Sequence, residues 1–376
     1  MGDQSAVRGM AQLLSYDMML ISGALFVVLV FLQGLQDDLG MNQIGLLLLM
    51  LVLALGLLIT SAEFFIQGAK GIARRVGLAE VVIGLTVVSI GTSLPEILVT
   101  SAAAYDIPKN QAVADLAVGS ILGSVLVQIT LILGIVTATQ GVRVHPTWLK
   151  RDGLVMLLAV LVLGFFLWTG NTLSRIEGAI LVLSYIAYVT HLILSKDKIQ
   201  TEVLESDSEG ESDDDGVLWT TMANSAMVIF GLILALFAAH HLVNLAAYLA
   251  GEFGVSEAVI GTTVSGIGTS LPELTIALLA AKKSEGVAIG TLVGSNITDP
   301  TMSVGIAALV HPLTMTTSGA SWALTIILPA TILSVAIALA FMYTSYEFHK
   351  WEGYSLIAVY LAFLLLLEYI RRAGIY

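Results

Sequence analysis

Residues 91–96 and 268–273 carry the same hexapeptide, GTSLPE, and each copy sets a proline and a glutamate inside an apolar stretch. Proline removes a backbone donor and displaces the carbonyl four residues back. The displaced carbonyls belong to Gly91 and Gly268. At membrane depth such freed groups persist only where protein or a water-lined cavity satisfies them. The glutamates, Glu96 and Glu273, fall near mid-segment. A third acid, Asp299, lies four residues after Ser295 in another apolar stretch. Each ionised acid at the bilayer centre costs about 2.5–3.5 kcal/mol, and three cost on the order of 8–10. No Lys or Arg lies within these stretches, so the expected partner is a cation from outside the chain.

The candidate ligands are all oxygens. They are the carboxylates of Glu96, Glu273 and Asp299, the hydroxyls of Thr92, Ser93, Ser124, Thr269, Ser270 and Ser295, and backbone carbonyls. Hard oxygen sites suit Ca²⁺ and Na⁺, and a site without fixed octahedral geometry suits Ca²⁺ better than Mg²⁺. Glu96 and Glu273 together balance one Ca²⁺ or two Na⁺. Asp299 is left to hold a proton or to help host a further Na⁺. Exclusive occupancy of one carboxylate cluster is a physical basis for exchange. The chain holds no cysteine, so thiolate chemistry is excluded, and it has no HExxH or G-x-S-x-G that an intramembrane enzyme would need. We read it as not an enzyme, with no cofactor: Ca²⁺ and Na⁺ are transported ions.

The elements that position these residues follow from composition. Of 376 residues, 57% are hydrophobic and 12% are charged, against about 25% charged in soluble domains. Most of the surface must therefore face a lipid bilayer. Eleven apolar segments are long enough to span: 17–36, 42–67, 79–104, 112–139, 152–168, 176–195, 219–248, 256–281, 286–310, 319–343 and 352–370. The net charge of −12 is largely local, because eight acids fall within residues 202–215. No basic patch suggests nucleic acid.

With the N-terminus in the cytoplasm, twelve Lys and Arg fall on the cytoplasmic side and four outside, the expected positive-inside bias. The loop 196–218 is then a cytoplasmic acidic linker. Within it, 205–216 has acids in an EF-hand-like register, but Gly216 stands where the bidentate glutamate belongs. A solvated linker is the preferred reading. Residues 1–41 are read as an extra N-terminal helix or leader. A retained helix is favoured, because no A-x-A cleavage site follows the apolar run.

The motifs are duplicated. EVVIGLTVVSIGTSLPE at 80–96 matches EAVIGTTVSGIGTSLPE at 257–273, and AVGSILGS at 117–124 matches AIGTLVGS at 288–295. The first copy enters from the cytoplasm and the second from outside, so the repeats are inverted. Inverted repeats with interrupted helices are a transporter pattern, with the site at the repeat interface. The expected fold is all-α and multi-pass. Two inverted five-helix halves, 42–195 with its repeat at 79–139 and 219–376 with its repeat at 256–310, follow the extra helix.

The paired GTSLPE segments and their GS partners resemble the α-repeats of the calcium/cation antiporter superfamily, specifically prokaryotic sodium/calcium exchangers. The resemblance runs from about 42 to 376. It implies Na⁺/Ca²⁺ antiport by alternating access, with segments 42–67 and 219–248 sliding past a fixed core. It also implies that Glu96 and Glu273 are the central Ca²⁺ ligands and that Thr92 and Thr269 supply backbone carbonyls. Ser93, Ser124, Ser270 and Ser295 would help bind Na⁺, with Asp299 lining the middle. The first copy departs from the family pattern with Gln128 where Asn is common, and Val125 replaces a polar or small residue. Gln128 is left as either a packing hydrogen bond or a site ligand. A proton/calcium antiporter on the same fold is the alternative, and a cation channel a more distant one. One chain supplies both halves of the site, so a functional monomer is expected. Glu63 and His240 occupy matched positions ahead of the two copies and read as polar residues near helix ends, or as gating or pH-sensing groups.

Overall fold

In the computed structural model, the described part of each of the eleven apolar segments is helical. The structure describes residues 19–35, 44–75, 89–140, 142–144, 146, 149–195, 221–254, 257–281 and 285–373. The acidic linker and the start of the first repeat lie outside these residues.

In chain order, α1 is Met19–Leu35 and α2 is Ile44–Arg75. The first repeat begins with the single turn α3, Ser89–Thr92, and continues in α4, Leu94–Asp106. Helix α5, Val113–Val127, passes through a π turn at Gln128–Ile132 into α6, Leu133–Gln140. Strand β1, Val142–Arg143, precedes a π turn at Leu149–Gly153 and α7, Leu154–Gly170. Strand β2, Thr172–Leu173, leads to α8, Arg175–Leu194. The second half opens with α9, Thr221–Phe253. Its first repeat segment comprises α10, Glu257–Ile260, a π turn at Gly261–Ser265, α11, Gly266–Thr269, and α12, Leu271–Ala281. Helix α13, Glu285–Thr298, passes through a π turn at Asp299–Ser303 into α14, Val304–Val310. Then follow β3, Leu313–Thr314; α15, Thr317–Trp322; a π turn at Ala323–Ile327; α16, Leu328–Ser345; β4, Glu347–Phe348; and α17, Lys350–Ala373.

Among the described residues, seven helices are long and apolar enough to cross a membrane, against the eleven segments expected. The other four have identifiable reasons. Helix α1 is 17 residues long. The segments at 79–104 and 256–281 are broken rather than continuous, at Ser93 and Ser270. The segment at 286–310 carries Asn296, Thr298 and Asp299 at its middle, which lowers its hydropathy. Three of the four thus carry candidate ligands, and the remaining two, Ser124 and Gln128, lie in the long helix of 112–139.

The two breaks share a backbone. Ser93 has φ −79°, ψ 3° and Ser270 has φ −86°, ψ 4°, the bridge region between helix and strand. Each break restarts the helix so that the proline falls in the new first turn, where its missing N–H is no loss. Glu96 and Glu273 then sit in the first turns of α4 and α12.

Two short antiparallel pairings tie the halves together. Val142 pairs with Phe348 and Arg143 with Glu347, while Thr172 pairs with Thr314 and Leu173 with Leu313. The β1–β4 pair joins two connections that the charge pattern puts in the cytoplasm, and β2–β3 joins two that it puts outside. Exchanging the halves exchanges the two pairings.

The repeats meet through glycine. A Cβ on Gly119 would stand 2.5 Å from the Ala258 carbonyl, and one on Gly261 would stand 2.5 Å from that of Leu116. Helix α5 is buried along its whole length and packs against the π turn of 261–265 and α11. Long helices α2 and α9 pack principally on each other and touch the rest mainly along α4.

Candidate functional site

The breaks, the GS helices and the π turns converge on one polar cluster. Glu96, Glu273, Asp299, Thr92, Ser93, Ser124, Gln128, Thr269, Ser270 and Ser295 all have 0% exposure. Ser124 is the hub. Its hydroxyl lies 3.1 Å from Glu96 Oε1, 3.1 Å from Asp299 Oδ2 and 2.8 Å from the Ser270 hydroxyl. Gln128 Nε2 donates to Ser124 Oγ at 2.8 Å and to Asp299 Oδ2 at 3.0 Å. Thus Glu96, Ser124 and Gln128 from the first repeat meet Ser270 and Asp299 from the second.

The second glutamate has a matching environment. The Thr92 and Ser295 hydroxyls are 3.1 Å apart, and both stand beside the Glu273 carboxyl. Thr269 stands beside Glu96. Each glutamate is therefore neighboured by the threonine of the other repeat. Both threonine hydroxyls also donate to their own helices, Thr92 to Ser89 O at 3.0 Å and Thr269 to Ser265 O at 2.9 Å.

Hydrogen bonding accounts for only part of the oxygen in this cluster. Glu96 Oε2, both oxygens of Glu273, Asp299 Oδ1, Gln128 Oε1 and Ser93 Oγ are buried without a hydrogen-bond partner. Buried acceptors left unpaired are costly, and ionised ones more so. A hard cation is the species that several such oxygens on converging elements would satisfy together. Among the described residues, no three acid or histidine side chains form a metal-holding group by themselves. Serine and glutamine oxygens are interposed between the acids, so neutral donors must complete any coordination sphere.

Gln128 makes the packing hydrogen bond, its amide N–H₂ donating to Asp299, while its carbonyl oxygen has no hydrogen-bond partner. Glu63 is half-buried and accepts a long contact from Gln67 at 3.5 Å. His240 Nδ1 lies 3.3 Å from Asp106 Oδ2, at the end of α4, and Lys109 reaches the other Asp106 oxygen at 2.7 Å. These matched positions lie apart from the acid cluster and have unlike partners.

Sequence reasoning missed several members. Ser120 and Ser265 are hydroxyl-bonded at 2.8 Å. Thr100 ties α4 to the Asp299 π turn by donating to Glu96 O at 2.7 Å and Ser303 O at 3.3 Å. Tyr185 of α8 is bonded to Thr298 at 3.0 Å. The π turns at 128–132 and 299–303 recur at matched places, and π turns concentrate at functional sites.

Comparison with known proteins is consistent across sequence and structure. The model of the family described as sodium/calcium exchanger protein matches residues 46–194 and 224–368. Sodium/calcium exchanger MaX1 of Methanosarcina acetivorans is 32% identical over 357 residues, covering 86% of this chain and 98% of that protein. Inner membrane protein YrbG of Escherichia coli is 35% identical over 272 residues, covering 70% and 79%. The solved structure of the sodium-calcium exchanger NCX_Mj soaked with Na⁺ and Sr²⁺ matches with TM-score 0.55 and 28% identity, covering 84% of this chain and 96% of that one.

Proposed function

Because the chain belongs to the sodium/calcium exchanger protein family, we propose that it exchanges Na⁺ for Ca²⁺ across the cell membrane by alternating access. Family membership makes it a cation/Ca²⁺ antiporter, and sodium coupling is the step inferred here. The observation that carries the reading is the set of buried, unpartnered oxygens on Glu96, Glu273, Asp299, Gln128 and Ser93. All are hard ligands, and among the described residues no lysine or arginine is hydrogen bonded to them.

In this reading Glu96 and Glu273 hold Ca²⁺, with carbonyls of Thr92 and Thr269 completing the sphere. Ser93, Ser124, Ser270 and Ser295 serve Na⁺ with the same carboxylates, and Asp299 and Gln128 line a further Na⁺ position. Since Ca²⁺ and Na⁺ need the same two glutamates, one ion must leave before the other binds. The halves 42–195 and 219–376 act as inverted units joined by the linker 196–218. The exchange of β1–β4 with β2–β3 on swapping halves supports that arrangement. One chain builds the entire site, so a monomer suffices. The N-terminus and linker face the cytoplasm.

The test is ⁴⁵Ca²⁺ uptake into proteoliposomes loaded with Na⁺, with and without an outward Na⁺ gradient at fixed pH. Uptake that needs the Na⁺ gradient and ignores a proton gradient is expected. Uptake driven only by a proton gradient would overturn sodium coupling.

A further inference from the structure

The second repeat has a polar addition that the first lacks. Where the first GS helix reads GSVLVQ, the second reads GSNITD, so Asn296 and Thr298 stand where Val125 and Val127 stand. Thr298 is wholly buried and immediately precedes the π turn that opens at Asp299. Its hydroxyl is bonded to that of Tyr185 at 3.0 Å, donates to Gly294 O at 2.9 Å and lies 3.5 Å from Ser89 Oγ.

Tyr185 comes from α8, outside both repeats, and is 4% exposed. Helix α8 is seated tightly against α14. A Cβ on Gly178 would stand 2.8 Å from Gly305 O, and one on Gly305 would stand 2.9 Å from Gly178 O. The other half repeats this crossing, for a Cβ on Gly134 would stand 2.8 Å from Gly353 O. The sequences EGAILVLSY at 177–185 and EGYSLIAVY at 352–360 then align, which matches Tyr185 with Tyr360. The residue matched to Thr298 is Val127, which has no hydroxyl to offer. Among the described residues, the duplicated tyrosine therefore acquires a polar partner in one half only, beside the acid that only that half carries.

We propose that Tyr185 is a positioning residue for the coupling cation, acting through Thr298 on Asp299. Asp299 Oδ2 is held by Ser124 and Gln128, while Oδ1 is unpartnered. The Tyr185–Thr298 bond pins the residue next to Asp299 where the helix widens into its π turn, and so fixes where Oδ1 is presented. Glu96 and Glu273 already balance Ca²⁺. The ion that depends on Asp299 is the additional Na⁺ of the exchange proposed above, on which this inference rests.

Proteoliposome exchange tests it with Tyr185→Phe, Thr298→Val, the double variant and Tyr360→Phe. The Na⁺ concentration for half-maximal Ca²⁺ uptake should rise about three- to tenfold in each single variant at positions 185 and 298, the size of one neutral hydrogen bond. The half-saturating Ca²⁺ concentration should stay within about twofold on the same scale. The double variant should shift no further than the larger single, because both remove one contact. Tyr360→Phe should match wild type. Equal shifts for Na⁺ and Ca²⁺, additive shifts in the double variant, or no shift in Tyr185→Phe would each overturn the positioning role. A wild-type protein indifferent to Na⁺ would instead overturn sodium coupling, and this inference with it.

Discussion

Gln128 Nε2 donates to Asp299 Oδ2 at 3.0 Å, and the two residues hold the same place in the two repeats, each opening a π turn. The duplication thus brings its own matched positions into contact at the centre of the site. One is a neutral amide and the other an acid, so the contact is asymmetric in charge while the backbones match. A hydrogen bond to a carboxylate is worth about 1.5–3 kcal/mol. That bond leaves one Asp299 oxygen and the Gln128 carbonyl for other ligands.

Shortening Gln128 by one methylene should break this bond without removing an acid. Gln128→Asn is expected to keep Ca²⁺ transport and to change the half-maximal Na⁺ concentration by about tenfold or more, as the loss of a charge-assisted bond requires. Flux titrations at fixed Ca²⁺ measure it. A titration superimposable on wild type would assign Gln128 to packing alone.

Much of the site was legible because duplication repeats its chemistry in the chain. GTSLPE names Glu96 and Glu273, and the GS steps name Ser124 and Ser295. What the chain does not spell out is contact between distant elements. Tyr185 meets Thr298 across 113 residues, and nothing in the apolar run of α8 distinguishes it from a lipid-facing tyrosine. Nor does an apolar segment disclose where it widens into a π turn, since Gln128–Ile132 keeps helical backbone angles on both flanks. The breaks at Ser93 and Ser270 were foreshadowed by proline, which marks an interrupted helix but not which residue leaves it. Restarting each helix puts the glutamate in a first turn.

The glycine contacts between the repeats set a limit on volume. Gly119→Val would drive side-chain atoms into the Ala258 backbone, which stands 2.5 Å from the ideal Cβ. Overpacking of this kind costs about 1–3 kcal/mol. Thermal unfolding in detergent should show a lowered transition for Gly119→Val. Gly23→Val, which meets nothing within 4 Å, should be close to wild type.

Orientation can be read chemically because the chain has no cysteine, so each introduced thiol is unique. Ser208→Cys in the acidic linker should react with a membrane-impermeant maleimide only from the cytoplasmic side. Gln111→Cys, exposed between α4 and α5, should react only from outside. The reverse pattern would invert the topology while leaving the paired strands on common sides.

The two glutamates carry the heaviest expectation. Glu96→Gln and Glu273→Gln each keep shape and remove one negative charge from a buried cation site. Taking one partner from a buried charge pair costs about 3–5 kcal/mol, a hundredfold or more in affinity. Ca²⁺ uptake should therefore vanish in both variants. Loss of uptake alone would not separate a lost ligand from a lost fold, but ligand linkage does. A bound ion stabilises the folded state by RT times the logarithm of one plus its concentration over Kd, so Ca²⁺ should raise the unfolding temperature of wild type and not that of either variant. Without Ca²⁺ the variants should be at least as stable as wild type, because each relieves burial of a charge beside the other acids. Variants that unfold early in Ca²⁺-free buffer would assign the glutamates to structure, and variants that Ca²⁺ still stabilises would place the ion elsewhere.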